Sequence, residues 1–430
     1  MCLKLGQVTT IVISSPALAK EILQKQDLAF SNRAVPDAVR ACEHHKNSVA
    51  WLPVSPQWRT LRKICNSHVF SAQKLDSNRH LRRQKVDELV SEVRQCCDAG
   101  VPVEIIHMAF KTSLNFLMNT FFSVDLTRTA SDITGGLKET VTKIFEDVGK
   151  PNLVDYFPML ARFDLLGIRG RVTVYFEEMF EMFDKTINQR LEAKRLNSYI
   201  PSTDVLDTLL SISEDGESID ITHVKHLLLD LFAAGTDTTS STLEWAMTEL
   251  FRTPKVLLKA QEELKQVIGR GNTIEESDIT RLPYLNAIIK ETFRLHPPAP
   301  LLLPRRVETD GEIFGFSVPR GAQILVNAWA IGRDPCTWER PNEFVPERFL
   351  GSEVDVRGRD FELIPFGGGR RICPGLPLAL RMVHLMLASL LNSFDWRLED
   401  GVLPEDLEVE EVFGLTLRKA HPLKLIPVSL

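Results

Sequence analysis

Apolar residues recur three and four positions apart through much of the chain, which is the spacing of one face of an α-helix. The pattern predicts a mostly helical region from residue 71 to about 250, with Val172–Arg195 as a clear example. The polar segment Leu196–Thr203 is predicted to separate two of these helices. Residues 1–14 instead contain a short apolar run rich in β-branched residues, which predicts a strand or a pair of strands.

Capping residues and prolines predict where the main helices begin and end. Ser15-Pro16 fits an N-cap followed by a first helical position, so a helix is expected over 15–26. A long helix is predicted from an N-cap at Thr222 to just before Pro254. The same signals predict two further helices: Pro283–Leu295 and Leu376–Leu391.

The last third of the chain also contains short segments of β character. These segments are Leu301–Val307, Glu312–Val318, Gln323–Ala328 and parts of 409–428. Strands from both ends of the sequence must meet to form one small sheet. We therefore predict a single domain over residues 1–430, mainly α with a small β-rich part (α+β).

Composition is that of a globular protein and narrows the choice of partners. Of the 430 residues, 44% are hydrophobic and 25% are charged. The net charge is −6 without a basic bias, so no nucleic acid is predicted as a partner. The seven cysteines form no CxxC pair, which argues against a disulfide framework or a zinc ribbon and for a reducing compartment.

One cysteine lies in an unusual setting, the segment Phe366–Gly375 (FGGGRRICPG). A glycine-rich turn with a small buried cysteine is one interpretation. The other is a thiolate ligand, because the helix after Cys373 aims its free N–H groups and positive dipole end at the sulfur. Gly369 and Gly375 would let something flat approach the backbone, and Arg371 would pair with an acidic edge. Haem is flat, carries propionates and accepts a thiolate ligand.

The spacing F-x-x-G-x-R-x-C-x-G resembles the haem-binding signature of the haem-thiolate monooxygenases, the cytochrome P-450 superfamily. Two further motifs resemble those of this family: Glu291-Thr-Phe-Arg294, its E-x-x-R pair, and Pro346–Phe349, which contains Arg348. Taken alone, Glu291 and Arg294 fit a surface ion pair three residues apart. Their place between the long helix and the cysteine favours a structural network with Arg348 that braces the cysteine loop.

The predicted long helix contains Leu231–Thr239, whose glycine and threonines are poor helix formers. A helix-packing notch is one explanation. The resemblance implies another, because the run matches the family's A-G-x-D-T-T motif. Ala234-Gly235 would leave room for dioxygen, Thr238 would hydrogen-bond the oxygen, and Asp237 would relay protons.

The resemblance also implies which residues hold haem and where electrons come from. Trp58 and Arg62 match the family's W-x-x-x-R, and Arg305 holds the position of another propionate partner, although each arginine also fits a solvated cation. Arg59, Arg62 and Lys63 form a basic cluster suited to an acidic electron-transfer partner. No dinucleotide-binding fingerprint is present. The implied set is haem b (iron protoporphyrin IX), dioxygen, and electrons from NADPH–cytochrome P-450 reductase.

Stretches such as RLPYLNAIIKET and NAWAIGRDP are similar to plant microsomal enzymes of the geraniol 8-hydroxylase group, which hydroxylate monoterpenols. The corresponding substrate-recognition regions are Val35–Ala50, 150–165, Leu228–Ala234, Ala299–Leu303 and Val412–Leu415. Within them, an apolar pocket is expected from Leu301, Leu302, Leu303, Phe413 and Leu415. The alternative is that these apolar residues belong to the ordinary hydrophobic core and do not line a pocket.

Relatives of this kind begin with a membrane-anchoring helix and a proline-rich hinge, and we expect this chain to be the catalytic domain without them. The full-length form is expected at the cytosolic face of the endoplasmic reticulum membrane. Two alternatives stay open. One is a haem-thiolate isomerase or dehydratase, which Asp237-Thr238 disfavours, and the other is a non-catalytic haem protein.

Overall fold

The computed structural model describes residues 1–125, 131–196, 204–214 and 219–430. The α-helices are α1 Pro16–Lys20, α2 Asp27–Phe30, α3 Pro56–Ile64, α4 Ala72–Ser77, α5 Arg79–Ala99, α6 Ile105–Phe122, α7 Ser131–Gly149, α8 Leu153–Tyr156, α9 Ile168–Arg195, α10 Val205–Glu214, α11 Ile221–Arg252, α12 Pro254–Val267, α13 Pro283–Leu295, α14 Ala328–Ile331 and α15 Leu376–Ser393. Short π-helical segments are Glu21–Lys25 and Cys65–Val69. Short 3₁₀ segments are Asp37–Lys46, Pro158–Leu160, Glu276–Arg281, Pro346–Phe349, Gly369–Arg371 and Pro404–Asp406.

The strands are few and short. They are β1 Cys2–Leu5, β2 Val8–Ile13, β3 Asn32–Arg33, β4 Val103–Glu104, β5 Arg305–Arg306, β6 Gly311–Ile313, β7 Phe316–Val318, β8 Gln323–Val326, β9 Asp395–Arg397, β10 Glu411–Val412, β11 Arg418–Lys419 and β12 Lys424–Val428. The predicted class, mainly α with a small β-rich part, is confirmed.

Strand pairing joins distant parts of the chain. The five-stranded sheet has the order β1-β2-β8-β5-β3, in which β2 runs parallel to β8. Strand β12, near the end of the chain, pairs with both β4 and β9. These two sheets therefore join the beginning of the chain to its last third, whereas β6-β7 and β10-β11 are separate two-stranded hairpins, so the described strands form four small sheets and not the one predicted.

Helix α11 is the central element of the core. Its 32 residues span about 48 Å, and it packs against α6, α9, α13 and α15. Phe232 stacks on Phe122 with ring centroids 5.6 Å apart, and Trp245 is fully buried. Most of its residues from Val224 onward are buried, including several polar ones, so its middle turns hold a fixed position in the interior.

Several boundary predictions are confirmed by the local geometry. The Ser15 hydroxyl accepts a hydrogen bond from the Leu18 N–H, and Pro16 is the first helical residue. Helix α13 has the predicted limits, and α15 extends two residues beyond the predicted Leu391. The predicted break at Leu196–Thr203 falls, after its first residue, outside the described residues.

Three boundary predictions are wrong. The segment predicted as one strand over Glu312–Val318 is a hairpin of β6 and β7, because Phe314 and Gly315 adopt a positive φ between them. Helix α11 begins at Ile221 and is capped by Asp220, whose carboxylate accepts from the His223 N–H at 2.9 Å, so Thr222 is not the cap. The strand predicted over Leu301–Val307 is limited to β5, because Leu302 adopts a φ of +51° in a turn. That turn brings Leu302 to the wall of the internal cavity described below.

Among the described residues, one helix is long and apolar enough to cross a membrane by length and composition. It is α15, and 72% of that apolar stretch is buried inside the protein. Its burial against α11 and α13 accounts for its hydrophobicity as a core helix.

Candidate active site

A cavity of about 340 Å³ lies between the middle of α11 and the Phe366–Gly375 loop. The residues singled out from the sequence that line it are Trp58, Arg62, Ala234, Gly235, Thr238, Leu302, Leu303, Arg305, Phe366, Arg371, Cys373, Gly375 and Leu415. Those that do not line it are Asp237, Leu301, Gly369, Phe413, Glu291, Arg294 and Arg348. The fold therefore brings most of the expected cofactor residues together around one space.

Cys373 is held at the start of α15 by the backbone around it. Its own N–H donates to the Phe366 carbonyl at 3.0 Å, which closes the loop. The sulfur faces the N–H groups of Gly375 and Leu376. Burial raises the pKa of the Cys373 thiol, whereas these two N–H groups and the Arg62 guanidinium act to lower it. The donors are those that a thiolate needs in a buried setting.

The two glycines of the loop are required for different reasons. Gly369 has a φ of +66°, and a Cβ there would lie 1.8 Å from the Leu23 carbonyl oxygen. Gly369 thus serves close packing of two main-chain segments and does not line the cavity. A Cβ on Gly375 would meet only ordinary contacts, 3.8 Å from Cys373 Sγ and Phe70 Cζ. No protein neighbour demands glycine there, which fits a position that leaves space for a group in the cavity.

Four arginines line the cavity: Arg33, Arg62, Arg305 and Arg371. Burial lowers the pKa of Arg371 to about 9, helped by repulsion from Arg305 and Arg62, and burial lowers that of Arg305 to about 10. Arg371 Nη1 and Arg305 Nε are buried without a hydrogen-bond partner among the described residues. A buried group of cations with unused donors fits a ligand that brings carboxylates. The two propionates of haem meet this requirement.

Arg33 was not singled out from the sequence. On β3 it lies directly opposite Arg305 of β5, and its guanidinium donates to the Ala50 and Leu303 carbonyls at 3.0 and 2.9 Å. Like charges facing each other across two strands are destabilising unless an anion lies between them. Only the pairing of β3 with β5 places Arg33 beside Arg305. No motif in the sequence therefore identifies Arg33 as a residue of the site.

Trp58 lines the cavity and is held there by the main chain. Its indole N–H donates to the Val49 carbonyl at 3.1 Å, so it has no donor left for a propionate. The Arg371 guanidinium lies 4.6 Å from the centre of the indole ring. Trp58 therefore supports Arg371 through a cation–π contact. In the predicted basic cluster, Arg59 and Lys63 are exposed while Arg62 turns into the cavity.

Helix α11 supplies the wall opposite Cys373. Ala234, Gly235 and Thr238 line the cavity, and the Thr238 hydroxyl donates to the Ala234 carbonyl at 2.6 Å. A Cβ on Gly235 would lie 2.9 Å from Leu117 Cδ1, so this glycine is also a packing notch, the alternative raised from the sequence. Gly235 is therefore explained by close packing against Leu117, and it also lines the cavity.

Asp237 points away from the cavity. Its carboxylate accepts a hydrogen bond from the Thr416 hydroxyl and pairs with Arg418 at 2.6 Å. Arg418 in turn lies 3.6 Å from the half-exposed Glu146. Thr416 lines the cavity, so its hydroxyl lies between the Asp237 carboxylate and the cavity.

The E-x-x-R pair is fully buried. Arg294 donates to both carboxylate oxygens of Glu291 at 2.7 Å, and Arg348 donates to Glu291 Oε1 at 3.1 Å. The remaining Arg294 donors are used by the carbonyls of Gly332, Pro341 and Glu343. A surface ion pair is thus excluded, and the three side chains tie α13 to the segments after α14.

Comparisons with known proteins agree with this geometry. Residues 1–425 match the sequence model of the family Cytochrome P450. Two proteins named geraniol 8-hydroxylase, from Catharanthus roseus and Swertia mussotii, are 57% and 55% identical over 431 residues, which is 100% of this chain and 87% of each relative. Drimenol monooxygenase of Persicaria hydropiper is 49% identical, over 100% of this chain and 86% of its own.

A solved structure agrees at the level of the fold. A zebra fish cytochrome P450 with progesterone has a TM-score of 0.84 and 24% identity, and the match covers 100% of this chain and 96% of that one. This chain therefore belongs to the cytochrome P450 family: it is a monooxygenase that uses haem, dioxygen and electrons derived from NADPH.

Proposed function

We propose that this chain hydroxylates a small terpenoid alcohol, as the relatives named geraniol 8-hydroxylase do. The observation that carries the proposal is one cavity in which Cys373, the arginines and Thr238 face an otherwise largely apolar wall. Val39, Phe145 and Phe176 are part of that wall and are buried. An apolar wall with few polar groups suits a hydrocarbon chain with a single hydroxyl.

Haem would be held by a cysteine and by the arginines of the cavity wall. Cys373 is the proposed iron ligand, and Arg33, Arg62, Arg305 and Arg371 are the proposed partners of the propionates. When bound, thiolate-ligated haem supplies the activation of dioxygen and the insertion of one oxygen atom into a C–H bond. Phe366, in the same loop as Cys373, packs edge-on against Phe293 of α13, with ring centroids 5.1 Å apart.

Protons would be managed by the α11 motif and its neighbours. The Thr238 hydroxyl lies on the cavity wall and donates to the Ala234 carbonyl, so its oxygen lone pairs remain available on the cavity side. Asp237 would serve as the proton reservoir, with the Thr416 hydroxyl as its contact to the cavity. We therefore propose that the Thr238 hydroxyl acts at the cavity wall. The Asp237 carboxylate, which the Thr416 hydroxyl connects to the cavity, would supply the protons.

The electron donor we propose is NADPH–cytochrome P-450 reductase. Arg59 and Lys63 are exposed on α3, next to the inward-facing Arg62, and offer positive charge to an acidic partner. We also propose that the enzyme works at the cytosolic face of the endoplasmic reticulum membrane.

The test begins with the ferrous–carbon monoxide spectrum of the purified protein beside a Cys373→Ser variant. A strongly red-shifted Soret band that is lost in the variant supports thiolate ligation by Cys373. A band at the position of histidine-ligated haem overturns it. Product analysis with reductase, NADPH and a terpenol panel then tests the substrate class, and turnover of other hydrophobic compounds but of no terpenoid contradicts it.

A further inference from the structure

One stretch of the cavity wall is polar although its surroundings are apolar. His44 and Asp230 line the cavity among Val39, Val49 and Phe176. The side chain of Asp230 is 8% exposed, so the carboxylate is largely removed from solvent. Burial of a carboxylate in an apolar wall is costly unless hydrogen-bond donors surround it.

The segment before α3 provides three such donors. His44 Nε2 lies 3.1 Å from Asp230 Oδ1, the Ser48 hydroxyl lies 2.7 Å from both carboxylate oxygens, and the Val49 N–H donates to Oδ2 at 2.8 Å. A carboxylate has about four lone-pair sites, so three donors leave one site free. Asp230 lines the cavity, so a ligand there lies beside a carboxylate with one acceptor position to spare.

His44 itself has no ring nitrogen left to bind a ligand. Its Nδ1 lies 2.8 Å from His226 Nδ1, and its Nε2 is used by Asp230. Its ring also packs edge-on against Phe176, with centroids 5.0 Å apart. The histidine therefore fixes the carboxylate, and the carboxylate is the group left to recognise a ligand.

Asp230 also has a fixed distance from the reaction side of the cavity. Asp230, Ala234 and Thr238 lie four residues apart on one face of α11, and all three line the cavity. At 1.5 Å per residue, Asp230 and Thr238 are separated by about 12 Å along the axis. An extended ten-carbon terpenol places its hydroxyl oxygen about 10 Å from its far end, from ordinary bond lengths.

We infer that Asp230 accepts a hydrogen bond from the hydroxyl of the substrate and so determines which carbon lies beside Thr238. The inference rests on the proposed function and adds the group that reads the alcohol. The ligand chemistry is a hydroxyl donor at the end of an apolar chain about as long as the distance from Asp230 to Thr238.

The experiment compares geraniol with its methyl ether, which keeps the chain but has no O–H donor. Binding is measured by titration of the Soret shift of the holoenzyme, for the wild type, Asp230→Asn and the matched control Asp400→Asn, which changes an exposed carboxylate outside the cavity. A hydrogen bond to a charged acceptor predicts that the wild type binds the alcohol about tenfold or more tightly than the ether. Asp230→Asn is expected to reduce this ratio several-fold, whereas Asp400→Asn leaves it unchanged.

Farnesol, the fifteen-carbon homologue, supplies a second test in the wild type alone. If the hydroxyl is anchored, oxidation occurs at the same number of bonds from the hydroxyl as in geraniol. Oxidation at the far end of the longer chain overturns the inference, even where Asp230→Asn does not fold.

The remaining outcomes separate the two claims. Equal affinity for alcohol and ether in the wild type, or an unchanged ratio in Asp230→Asn, overturns the role of Asp230 while terpenoid hydroxylation stands. Absence of binding and turnover with every terpenoid overturns the proposed function and the inference together.

Discussion

The Thr416 hydroxyl donates a hydrogen bond to the Asp237 carboxylate, although 179 positions separate the two residues. Thr416 lines the cavity and Asp237 does not. The acid of the α11 motif is thus connected to the cavity by a residue from the β10–β11 hairpin, which no motif in the sequence marks.

This connection predicts that Thr416→Val lowers product formed per NADPH consumed, by tenfold or more, because a hydroxyl contact of the proton-donating acid is removed. Thr416→Ser should restore the ratio. Ser241→Ala is the control, since Ser241 holds the same hairpin through the Leu417 carbonyl at 2.7 Å. An equal loss in Ser241→Ala would show that Thr416 only anchors the hairpin.

The two loop glycines should respond differently to alanine. Gly369→Ala forces a Cβ to 1.8 Å from the Leu23 carbonyl oxygen at a positive φ, so we expect a loss of several kcal/mol in the free energy of unfolding. Gly375→Ala meets contacts of 3.8 Å and should change the stability of the haem-free protein by less than about 1 kcal/mol. Urea unfolding of both variants checks this, and similar losses would contradict it.

Loss of the buried carboxylate at position 291 should be severe. Glu291→Gln leaves the fully buried Arg294 without its charge partner and weakens the contact with Arg348, which predicts a destabilisation of about 3–5 kcal/mol. The matched control is Asp400→Asn, which removes the exposed partner of Arg397 and should cost less than about 0.5 kcal/mol. Equal urea midpoints for the two variants would refute a structural role for the buried network.

A pH effect on stability is expected from Glu244. Its carboxylate accepts from the Leu423 N–H at 2.8 Å, and burial raises its pKa from 4.5 to about 7. Between these two values the folded protein binds more protons than the unfolded chain, so the free energy of unfolding falls as pH rises.

Glu244→Gln removes this pH dependence. As the pH rises from 5 to 8, the free energy of unfolding of the variant should therefore increase relative to that of the wild type, by on the order of 3 kcal/mol in total. Lys419 and Arg418 act to lower the pKa of Glu244 and Glu104 to raise it, and these groups remain in the variant. Parallel stability curves for the two proteins, measured by urea unfolding at each pH, would contradict the effect.

Arg33 should contribute to holding haem. Arg33→Leu removes a cation that faces Arg305 across two strands, and a charge-assisted hydrogen bond corresponds to about tenfold or more in the rate of haem loss. Arg59→Leu, on the exposed side of α3, is the control and should leave the rate unchanged. Haem transfer to an excess of apomyoglobin measures both rates, and equal rates would rule out a role for Arg33.

The sequence by itself determined the features that depend on local chemistry. Helix limits such as Pro283–Leu295 were predictable because prolines, caps and apolar spacing act within a few residues. The Cys373 loop was predictable because the cysteine, its glycines and its arginine are adjacent in the chain.

The tertiary structure decided where side chains point and which distant residues meet. Asp237 follows its motif in sequence yet turns toward Thr416 and Arg418, and Phe413 is 60% exposed while Leu415, two residues later, lines the cavity. Arg33 meets Arg305 only through the pairing of β3 with β5. The Asp237–Thr416 and Arg33–Arg305 contacts join positions 179 and 272 residues apart, and patterns within a few neighbouring residues do not specify which distant segment packs against them.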